Sequence, residues 1–444
     1  MAVSAGDTAW VLISSALVFF MGPGLAFFYC GLVRRKNALN TLMMTCVATA
    51  IGTLVWAVVG YSWAFDAGNP LIGGCNWILM NGVGKDPVAY APTVPALAFC
   101  AFQGMFAAIT PALICGAVVE RMNFKAYVAF ILLWSLAVYA PIAHWVWGND
   151  GWIHSLGALD FAGGTVVHIT AGTAAVVAAW LLGPRQDHQR APLVPHNVPS
   201  VLLGAGLLWF GWFGFNAGSA LGANGLAAVA FVTTNLAAVA GSITWLILEQ
   251  IKSGKPTAVG AATGAVVGLV GITPAAGFVQ PSAALAIGTL AATAAFFTLQ
   301  LRSRTKLDDT LDVFSCHGVG GIVGALLTGV FATKLVNDAG ANGLLAGNPH
   351  LLMIQAIAVV ATIAYTAGAT FGILQLVKAF LPIRVGLREE LEGLDRHAHG
   401  EEAYREPNAI GSLGEAVLFR LEESQSELRS NSILSCDISA FQIQ

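Results

Sequence analysis

Long apolar runs separated by short polar segments dominate this sequence and constrain its fold more than any other feature. A helix needs about 20 predominantly apolar residues to cross the hydrocarbon core of a membrane. Because lipid offers exposed backbone groups no hydrogen-bond partner, only helices or closed barrels can span it. We therefore predict an all-α polytopic membrane protein of eleven transmembrane helices. They cover residues 10–33, 38–64, 94–119, 126–147, 161–182, 200–220, 225–248, 258–273, 281–301, 312–332 and 350–381.

Composition agrees with a membrane protein and excludes several other classes. Only 10% of the 444 residues are charged, whereas soluble proteins carry about 25%. The net charge of -3 gives no basis for binding nucleic acid. The seven cysteines show no CxxC spacing, so we expect no disulfide framework, no metal site and no cofactor. The N-terminus lacks the basic start of a cleavable signal peptide, and the first apolar run is expected to remain as a span.

The basic residues predict the orientation, because short loops rich in Lys and Arg stay in the cytoplasm. If the first helix runs inward, twelve basic residues lie in cytoplasmic loops and two, Lys85 and Lys334, in outer loops. This bias predicts an outer N-terminus and an inner C-terminus. The twelve are Arg34, Arg35, Lys36, Arg121, Lys125, Arg185, Arg190, Lys252, Lys255, Arg302, Arg304 and Lys306.

The odd number of predicted spans suggests two five-helix halves of opposite orientation, followed by an eleventh helix. The fifth and tenth spans echo each other. Each is predicted to open with an aspartate and to carry one histidine: Asp160 with His168, and Asp312 with His317. Small residues in both spans would allow close helix packing. They are Gly163, Gly164, Gly320, Gly321 and Gly324.

The predicted membrane interior contains no charged residue. A charge at the bilayer centre costs about 2.5–3.5 kcal/mol on insertion scales, so one found there would be a functional candidate. The titratable residues left are His168 and His317. At 1.5 Å per residue, His168 lies roughly 12 Å from the outer start of its helix, and His317 lies roughly 8 Å from the inner start of its own. These depths allow the two rings to meet. The alternative is two separate core histidines, each bonded to nearby backbone.

Aromatic residues form a second pattern, near the predicted outer end. Phe102 and Phe106 are four apart on the third span and so share one face, as do Phe215 and Ser219 on the sixth. Trp147 ends the fourth span. Aromatic faces attract a small cation by up to about 2 kcal/mol when desolvated, and a serine hydroxyl can accept an ammonium N–H. The alternative is an ordinary aromatic belt at the membrane interface.

Ten segments between positions 6 and 404 resemble the ammonium transporter (Amt/Mep/Rh) family, on its bacterial Amt side, in order and spacing. They are GDTAW, MGPGLAFFYCGLVRRKNALN, VVGYSWAF, AFQGMFAAIT, GAVVERM, PIAHWVWG, LDFAGGTVVHI, PHNVPSVLLGAGLLWFGWFGFNAGSAL, LDDTLDVFSCHGVGGIVG and EGLDRHAHGEEAY. The resemblance implies a homotrimer in the cytoplasmic membrane with one ammonium-conducting pore in each subunit. It also implies control by a PII-type regulatory protein from the cytoplasm.

The resemblance further implies roles for particular residues. Phe106 and Phe215 would form a stacked phenyl gate, and His168 and His317 the twin histidines of the pore. Asp160 would support the outer site as a side-chain helix cap. The residues implied for the outer recruitment site are Phe102, Phe106, Trp147 and Ser219.

Together these residues predict that ammonium binds at the mouth and loses its proton near the gate. Ammonia then crosses an apolar pore past the two imidazoles, with a possible separate route for the proton. Two alternatives remain open. One is an ammonium sensor that signals through its cytoplasmic tail with little or no transport. The other is a carrier for a different small solute.

The last part of the chain is predicted to differ from the rest. We expect a membrane domain over residues 1–383 and a cytoplasmic regulatory region over 384–404, for which a solvated tail is the alternative. An extra tail follows over 405–444. Apolar residues in it are compatible with one face of an amphipathic helix, and a disordered tail is the alternative. They are Ile410, Leu413, Val417, Leu421 and Leu428.

Overall fold

The computed structural model describes residues 2–190 and 193–404. Within them, ten helical segments are long and apolar enough to cross a membrane. They are Ala5–Leu32, Arg35–Phe65, Ala96–Val118, Phe124–Ser155, Gly164–Leu182, Val198–Ala220, Gly225–Ser253, Pro281–Arg302, Phe314–Phe331 and Pro349–Phe380. The predicted span over 258–273 is a shorter apolar helix, Ala258–Ile272. The all-α polytopic class is therefore confirmed, whereas the count of eleven spans and the orientation stay predictions.

Several of these segments combine more than one kind of helix. In chain order the α-helices are α1 (Ala5–Leu32), α2 (Ala38–Val55), α3 (Tyr61–Phe65), α4 (Ala96–Val118), α5 (Phe124–Trp134), α6 (Ala140–Trp147), α7 (Trp152–Ser155), α8 (Thr170–Leu182), α9 (Val198–Ala217), α10 (Gly225–Ser253), α11 (Ala258–Ile272), α12 (Pro281–Arg302), α13 (Gly320–Phe331), α14 (Pro349–Phe380), α15 (Leu387–Glu392) and α16 (Leu394–His399). The π-helical segments assigned are Trp56–Gly60, Ser135–Tyr139, Gly164–Ile169 and Phe314–Val319. The 3-10 segments are Arg35–Asn37, Ile78–Met80, Gly218–Ala220 and Leu344–Ala346. A short antiparallel hairpin, β1 (Pro87–Val88) and β2 (Ala91–Pro95), precedes α4.

Polar side chains at the helix N-termini mark where the apolar spans begin. The first N–H groups of a helix have no intrahelical acceptor, so a side-chain oxygen before the helix stabilises its start. Asn123 accepts from the first turn of α5, Asn224 from that of α10 and Thr257 from that of α11. These caps define ends that apolar periodicity alone leaves uncertain by a few residues.

Helices α1 and α9, the first helices of the two predicted halves, pack closely along their length. Gly204 makes this possible, because a Cβ there would overlap the backbone of Phe28 on α1. Small residues at a crossing point let two membrane helices gain dispersion contacts over their backbones. The core that results is apolar and contains large buried aromatic side chains, among them Trp134, Trp212 and Phe215.

Residues 384–401 belong to the same compact unit as the spans. The Asp395 carboxylate accepts hydrogen bonds from the backbone N–H groups of Leu39 (3.0 Å) and Asn40 (2.8 Å), at the start of α2. The Leu394 N–H donates to the Asn37 side chain (2.8 Å). This region is therefore docked on the helix ends and is not a solvated tail. The amphipathic pattern predicted within 405–444 lies outside the described residues.

Candidate functional site

Two histidines from different helical segments are in contact inside the bundle. Nδ1 of His168 lies 3.2 Å from Nδ1 of His317, and the ring centroids are 5.3 Å apart at an interplanar angle of 22°. Both side chains are buried, with 2% and 4% exposed. Of the two possibilities left open by the sequence, the structure has the paired one.

The contact between the two Nδ1 atoms restricts the tautomers. A neutral imidazole has one nitrogen that donates and one that accepts, so in a neutral pair one Nδ1 carries the shared proton and the other accepts it. The donor ring then has a bare Nε2, and the acceptor ring has a protonated Nε2. Within residues 2–190 and 193–404, Nε2 of His168 has no hydrogen-bond partner. The pair therefore offers its surroundings one acceptor and one donor.

Matching π-helical turns position the two rings. His168 lies in Gly164–Ile169 and His317 in Phe314–Val319, each leading directly into an α-helix, α8 or α13. The two segments approach closely at Gly172, where a Cβ would fall on the backbone of Gly318. A π-turn is often found at functional sites because it changes the direction of side chains within a helix.

Asp160 caps the segment that carries His168. Its Oδ1 accepts from the N–H groups of Gly163 (2.9 Å) and Gly164 (2.7 Å), and its Oδ2 from those of Thr165 (2.8 Å) and Val166 (3.2 Å). All four N–H groups at the helix start are thus satisfied by one carboxylate. A negative charge is also favourable at that end of the helix dipole.

In the second half, the aspartate that caps the histidine segment differs from the one noted at the start of the predicted span. Asp309, not Asp312, caps the segment that carries His317, accepting from the N–H groups of Val313 (3.1 Å) and Phe314 (2.7 Å). Asp312 has a left-handed backbone, with φ of 58°, and its carboxylate pairs with Arg302 at 2.7 Å. Asp312 was expected to open the tenth span because it is the aspartate closest to the helix, whereas Asp309 and His317 match the eight-residue spacing of Asp160 and His168.

The predicted aromatic residues form a chain of ring contacts above the histidines. The rings of Phe106 and Phe215 have centroids 4.3 Å apart at 37°. Phe102 meets Phe106 edge-on at 5.0 Å, and Trp147 meets it edge-on at 5.8 Å. Phe215 lies 6.1 Å from the His168 ring. The structure therefore brings all four aromatic candidates together, next to the imidazole pair.

Ser219 and Trp147 are fixed to this cluster by hydrogen bonds. The Ser219 hydroxyl donates to the carbonyl of Phe215 (2.9 Å), which leaves its lone pairs able to accept. The Trp147 indole N–H donates to the backbone carbonyl of Asp160 (2.9 Å). Asp160 therefore supports the predicted recruitment site through its main chain and the histidine segment through its carboxylate.

A narrow cavity of ≈ 10 Å³ lies against both imidazoles and Phe215, about the size needed for one water-sized molecule. Its lining is apolar apart from the imidazoles and one indole. It consists of Met21, Leu25, Phe28, Ile109, Leu113, Val167, His168, Leu208, Trp212, Phe215, Val266 and His317.

Trp212 is a cavity residue that sequence reasoning missed. Its ring stacks on His168 at 5.4 Å and 21°, and its indole N–H donates to Thr273 (2.9 Å). The stack and the hydrogen bond hold the indole against the imidazole. The sequence feature that could have identified Trp212 is its position three residues before Phe215, which places both rings on one helix face.

A larger cavity of ≈ 820 Å³ lies at the end of the molecule that carries the basic loops. Beside it Glu120 is fully buried and pairs with Arg34 (2.6 Å) and Arg185 (2.8 Å). Burial opposes ionisation of Glu120, but the hydrogen bonds and charges of the two guanidinium groups outweigh it and lower its pKa to about 2. Arg185 also binds Asp308 (2.8 Å), so these ion pairs join separate loops.

Comparison with known proteins gives consistent matches along the chain. The model of the Ammonium Transporter Family matches residues 9–404. An ammonium transporter of Bacillus subtilis is 48% identical over 402 residues, 90% of this chain and 99% of that protein. One of Aquifex aeolicus is 51% identical over 406 residues, covering 90% and 94%. The crystal structure of Candida albicans Mep2 aligns with a TM-score of 0.82 at 36% identity, covering 87% and 88%. A structure titled Sensor Amt Protein aligns with a TM-score of 0.83 at 31% identity, covering 89% and 98%.

Proposed function

Because the chain belongs to the ammonium transporter family, we propose that this integral membrane protein transports ammonium across the cytoplasmic membrane. The observation that carries the proposal is an apolar cavity with an aromatic mouth above it and two contacting imidazoles in its wall. The proposed activity is transport and involves no enzymatic conversion.

We propose that the mouth recruits the ammonium ion. The faces of Phe102, Phe106 and Trp147 supply cation–π attraction of up to about 2 kcal/mol in a desolvated site. The Ser219 hydroxyl, which already donates to a backbone carbonyl, accepts an ammonium N–H. Potassium has no N–H donor and gains no directional bond there, which favours ammonium over potassium.

Below the mouth, the contact between Phe106 and Phe215 acts as the gate. With centroids 4.3 Å apart, the rings leave no passage for a hydrated ion unless they move. The lining beneath them contains no carboxylate to compensate a cation, so entry of a charged species is unfavourable. Ammonium therefore gives up its proton near the gate, and neutral ammonia enters.

The imidazole pair then orients ammonia. The pair has one Nε2 acceptor for an ammonia N–H and one Nε2–H donor for the ammonia lone pair. A released proton can bind the bare Nε2 of one ring, after which the Nδ1 proton moves across the contact to the second ring and that ring releases its Nε2 proton. Ammonia and proton recombine on the far side, so the nitrogen and the charge are both accounted for.

Electrophysiology on proteoliposomes tests this function. Wild-type protein is expected to give an ammonium-evoked current that potassium does not evoke. His168→Ala and His317→Ala are each expected to reduce the current or its discrimination against potassium. His350→Ala, at an exposed position, is the matched control and should behave as wild type. Unchanged current and discrimination in both pore variants would refute the mechanism.

The similarity to a structure titled Sensor Amt Protein keeps a second function under consideration. A sensor would bind ammonium at the same mouth but give no current, and would signal through its cytoplasmic part. Ammonium binding without an ammonium-evoked current in reconstituted protein would favour this alternative. A response to neither measurement would favour a carrier of another solute.

We also propose a homotrimer in which residues 1–383 form the membrane domain. The segment 384–404, of which residues 384–401 belong to the same compact unit as the spans, would be the cytoplasmic region that receives a PII-type regulatory protein. Its contacts with the start of α2 support this, because a partner bound to the segment would act directly on the helix ends. Native mass spectrometry with and without such a regulator tests both the subunit number and the complex.

A further inference from the structure

Gln355 on α14 is a buried amide with an unusual set of partners. It is 1% exposed, and its Oε1 accepts from the backbone N–H of Leu159 (2.8 Å). Its Nε2 donates to the carbonyls of Leu159 (2.8 Å) and Ala325 (3.0 Å). These partners define the amide orientation, since only the oxygen can accept and only the nitrogen can donate. The Gln355 amide therefore both accepts from and donates to the backbone of Leu159, as a residue of a neighbouring β-strand would.

Close packing of α14 brings the amide into this position. Gly329 on α13 faces Gln355, and a Cβ there would lie 3.1 Å from its Cγ and 2.8 Å from the Cα of Leu352. The helices can be this close only because Gly329 has no side chain. The amide is thus held by packing as well as by its hydrogen bonds.

The backbone that Gln355 holds leads directly to the recruitment site. Leu159 precedes Asp160, whose carbonyl accepts from the Trp147 indole (2.9 Å) and whose carboxylate caps the segment of His168. The third partner, Ala325, lies on α13, the helix that continues from the turn of His317. One side chain thus connects α14 to the loop before the His168 segment and to the helix that follows the His317 turn.

We propose that Gln355 is a positioning residue for ammonium recruitment. By fixing Leu159, it holds the Asp160 carbonyl where the Trp147 indole N–H meets it, and so holds the indole face at the mouth. This inference rests on the proposed function, because the indole is taken to contact ammonium. Gln355 acts through the backbone and does not itself contact the substrate.

Replacing Gln355 by leucine keeps most of the side-chain volume and removes the three hydrogen bonds. The N–H and carbonyl of Leu159 must then find other partners, which shifts the segment that holds Trp147. A shift that weakens one ordinary hydrogen bond or an equivalent contact at the mouth changes affinity about fivefold. We expect the half-saturating ammonium concentration of Gln355→Leu to rise by about this factor, with a smaller change in the maximal current per folded protein.

Two further variants make the experiment specific. In Gln355→Glu, burial favours the neutral carboxyl, which accepts from the Leu159 N–H and donates to one of the two carbonyls, so we expect an intermediate rise. Thr362→Val is the matched control, because Thr362 is buried two turns along the same helix and its hydroxyl has no hydrogen-bond partner among the described residues. It should keep the wild-type concentration dependence.

The currents of these four proteins are measured against ammonium concentration in proteoliposomes and normalised to reconstituted protein. A residue needed only for stability would lower the amount of folded protein without moving the half-saturating concentration. Wild-type concentration dependence in both Gln355 variants would overturn the positioning role and leave the transport proposal standing. If Gln355→Leu does not fold, Gln355→Glu alone decides. Absence of current from wild-type protein would instead refute the proposed function, and the positioning role with it.

Discussion

Replacing Glu120 by glutamine tests whether the buried ion pairs beside the larger cavity stabilise the fold. The pKa of Glu120 is lowered from its ordinary 4.5 to about 2. A difference of about 2.5 pKa units, at 1.36 kcal/mol each, corresponds to about 3 kcal/mol of stability at neutral pH. That agrees with the roughly 3–5 kcal/mol lost when a buried pair is broken on one side. The glutamine would leave Arg34 and Arg185 without their shared counter-charge.

The assay is the free energy of unfolding of the detergent-solubilised protein at pH 7, followed by tryptophan fluorescence during denaturant titration. Glu120→Gln is expected to lower it by about 3 kcal/mol. Glu392→Gln is the matched control, because it removes a carboxylate from an exposed pair with Arg388, and solvent screens such pairs. It should unfold like the wild type.

The pH dependence gives an independent check of the same residue. Because the folded-state pKa of Glu120 is depressed, its stabilisation is present above pH 4.5 and is lost as the pH falls through about 2. Burial raises the pKa of Asp308, but Arg185 and Arg121 lower it below its usual value, and Asp308 keeps both arginines in wild type and variant. The difference between the two proteins should therefore shrink as the pH falls from 4.5 to 2. Equal stabilities at pH 7, or a difference that does not change with pH, would refute the reasoning.

Three other predictions concern the pore. Gly172→Val places a Cβ on the backbone of Gly318 and is expected to abolish ammonium current or folding. The current is measured per reconstituted protein, and folding is measured by size-exclusion chromatography. A normal current would contradict the close approach. Phe215→Ala removes one ring of the proposed gate and should admit potassium, detected as a potassium-evoked current that wild type lacks. Asp309→Asn keeps one of the two acceptor oxygens of the cap. Loss of one hydrogen bond should destabilise the protein by about 1 kcal/mol in denaturant titration, with an unchanged half-saturating ammonium concentration.

The helical segments could be predicted from the sequence because apolar length alone determines them. Each of the eleven predicted ranges coincides with a helical segment of the structure, and the boundaries differ by a few residues where polar caps decide the start. Apolar length does not determine whether the segment predicted over 258–273 crosses the membrane. Helix α11 has 15 residues, so the count of eleven spans depends on whether a helix of that length crosses the membrane.

The contacts within the site were harder to predict. The depths of His168 and His317 came out about 10 Å apart at 1.5 Å per residue, so the sequence allowed the rings to meet without requiring it. The π-helical turns that bring them to 3.2 Å leave no simple sequence pattern. Trp212 was missed because it is one of five aromatic residues in α9, and among these the three-residue spacing from Phe215 does not stand out. Gln355 could have been identified from the sequence, because an amide within a membrane span must find hydrogen-bond partners.

The positions of Asp160 and Asp309 give the two histidine segments the same local arrangement. Asp160 precedes His168 by eight residues, and Asp309 precedes His317 by the same number. In each case the carboxylate binds the first N–H groups of a π-helical turn, and the histidine then lies on that turn. In the predicted inverted halves the two helices enter from opposite ends, so repeating the arrangement would bring both imidazoles to the same place in the bundle.

The capping role of Asp160 also keeps its negative charge out of the cavity lining. The Asp160 carboxylate is occupied by four backbone N–H groups, so its charge stabilises a helix start and is not part of the cavity lining. The imidazoles provide the titratable groups of that lining, and their mutual hydrogen bond is complete with both rings neutral. A cation in the cavity would thus meet no fixed counter-charge, whereas a neutral molecule with one donor and one acceptor direction matches the pair. Because Asp160 binds backbone N–H groups and does not line the cavity, its charge does not offset the cost of a cation there, which agrees with the proposed passage of ammonia.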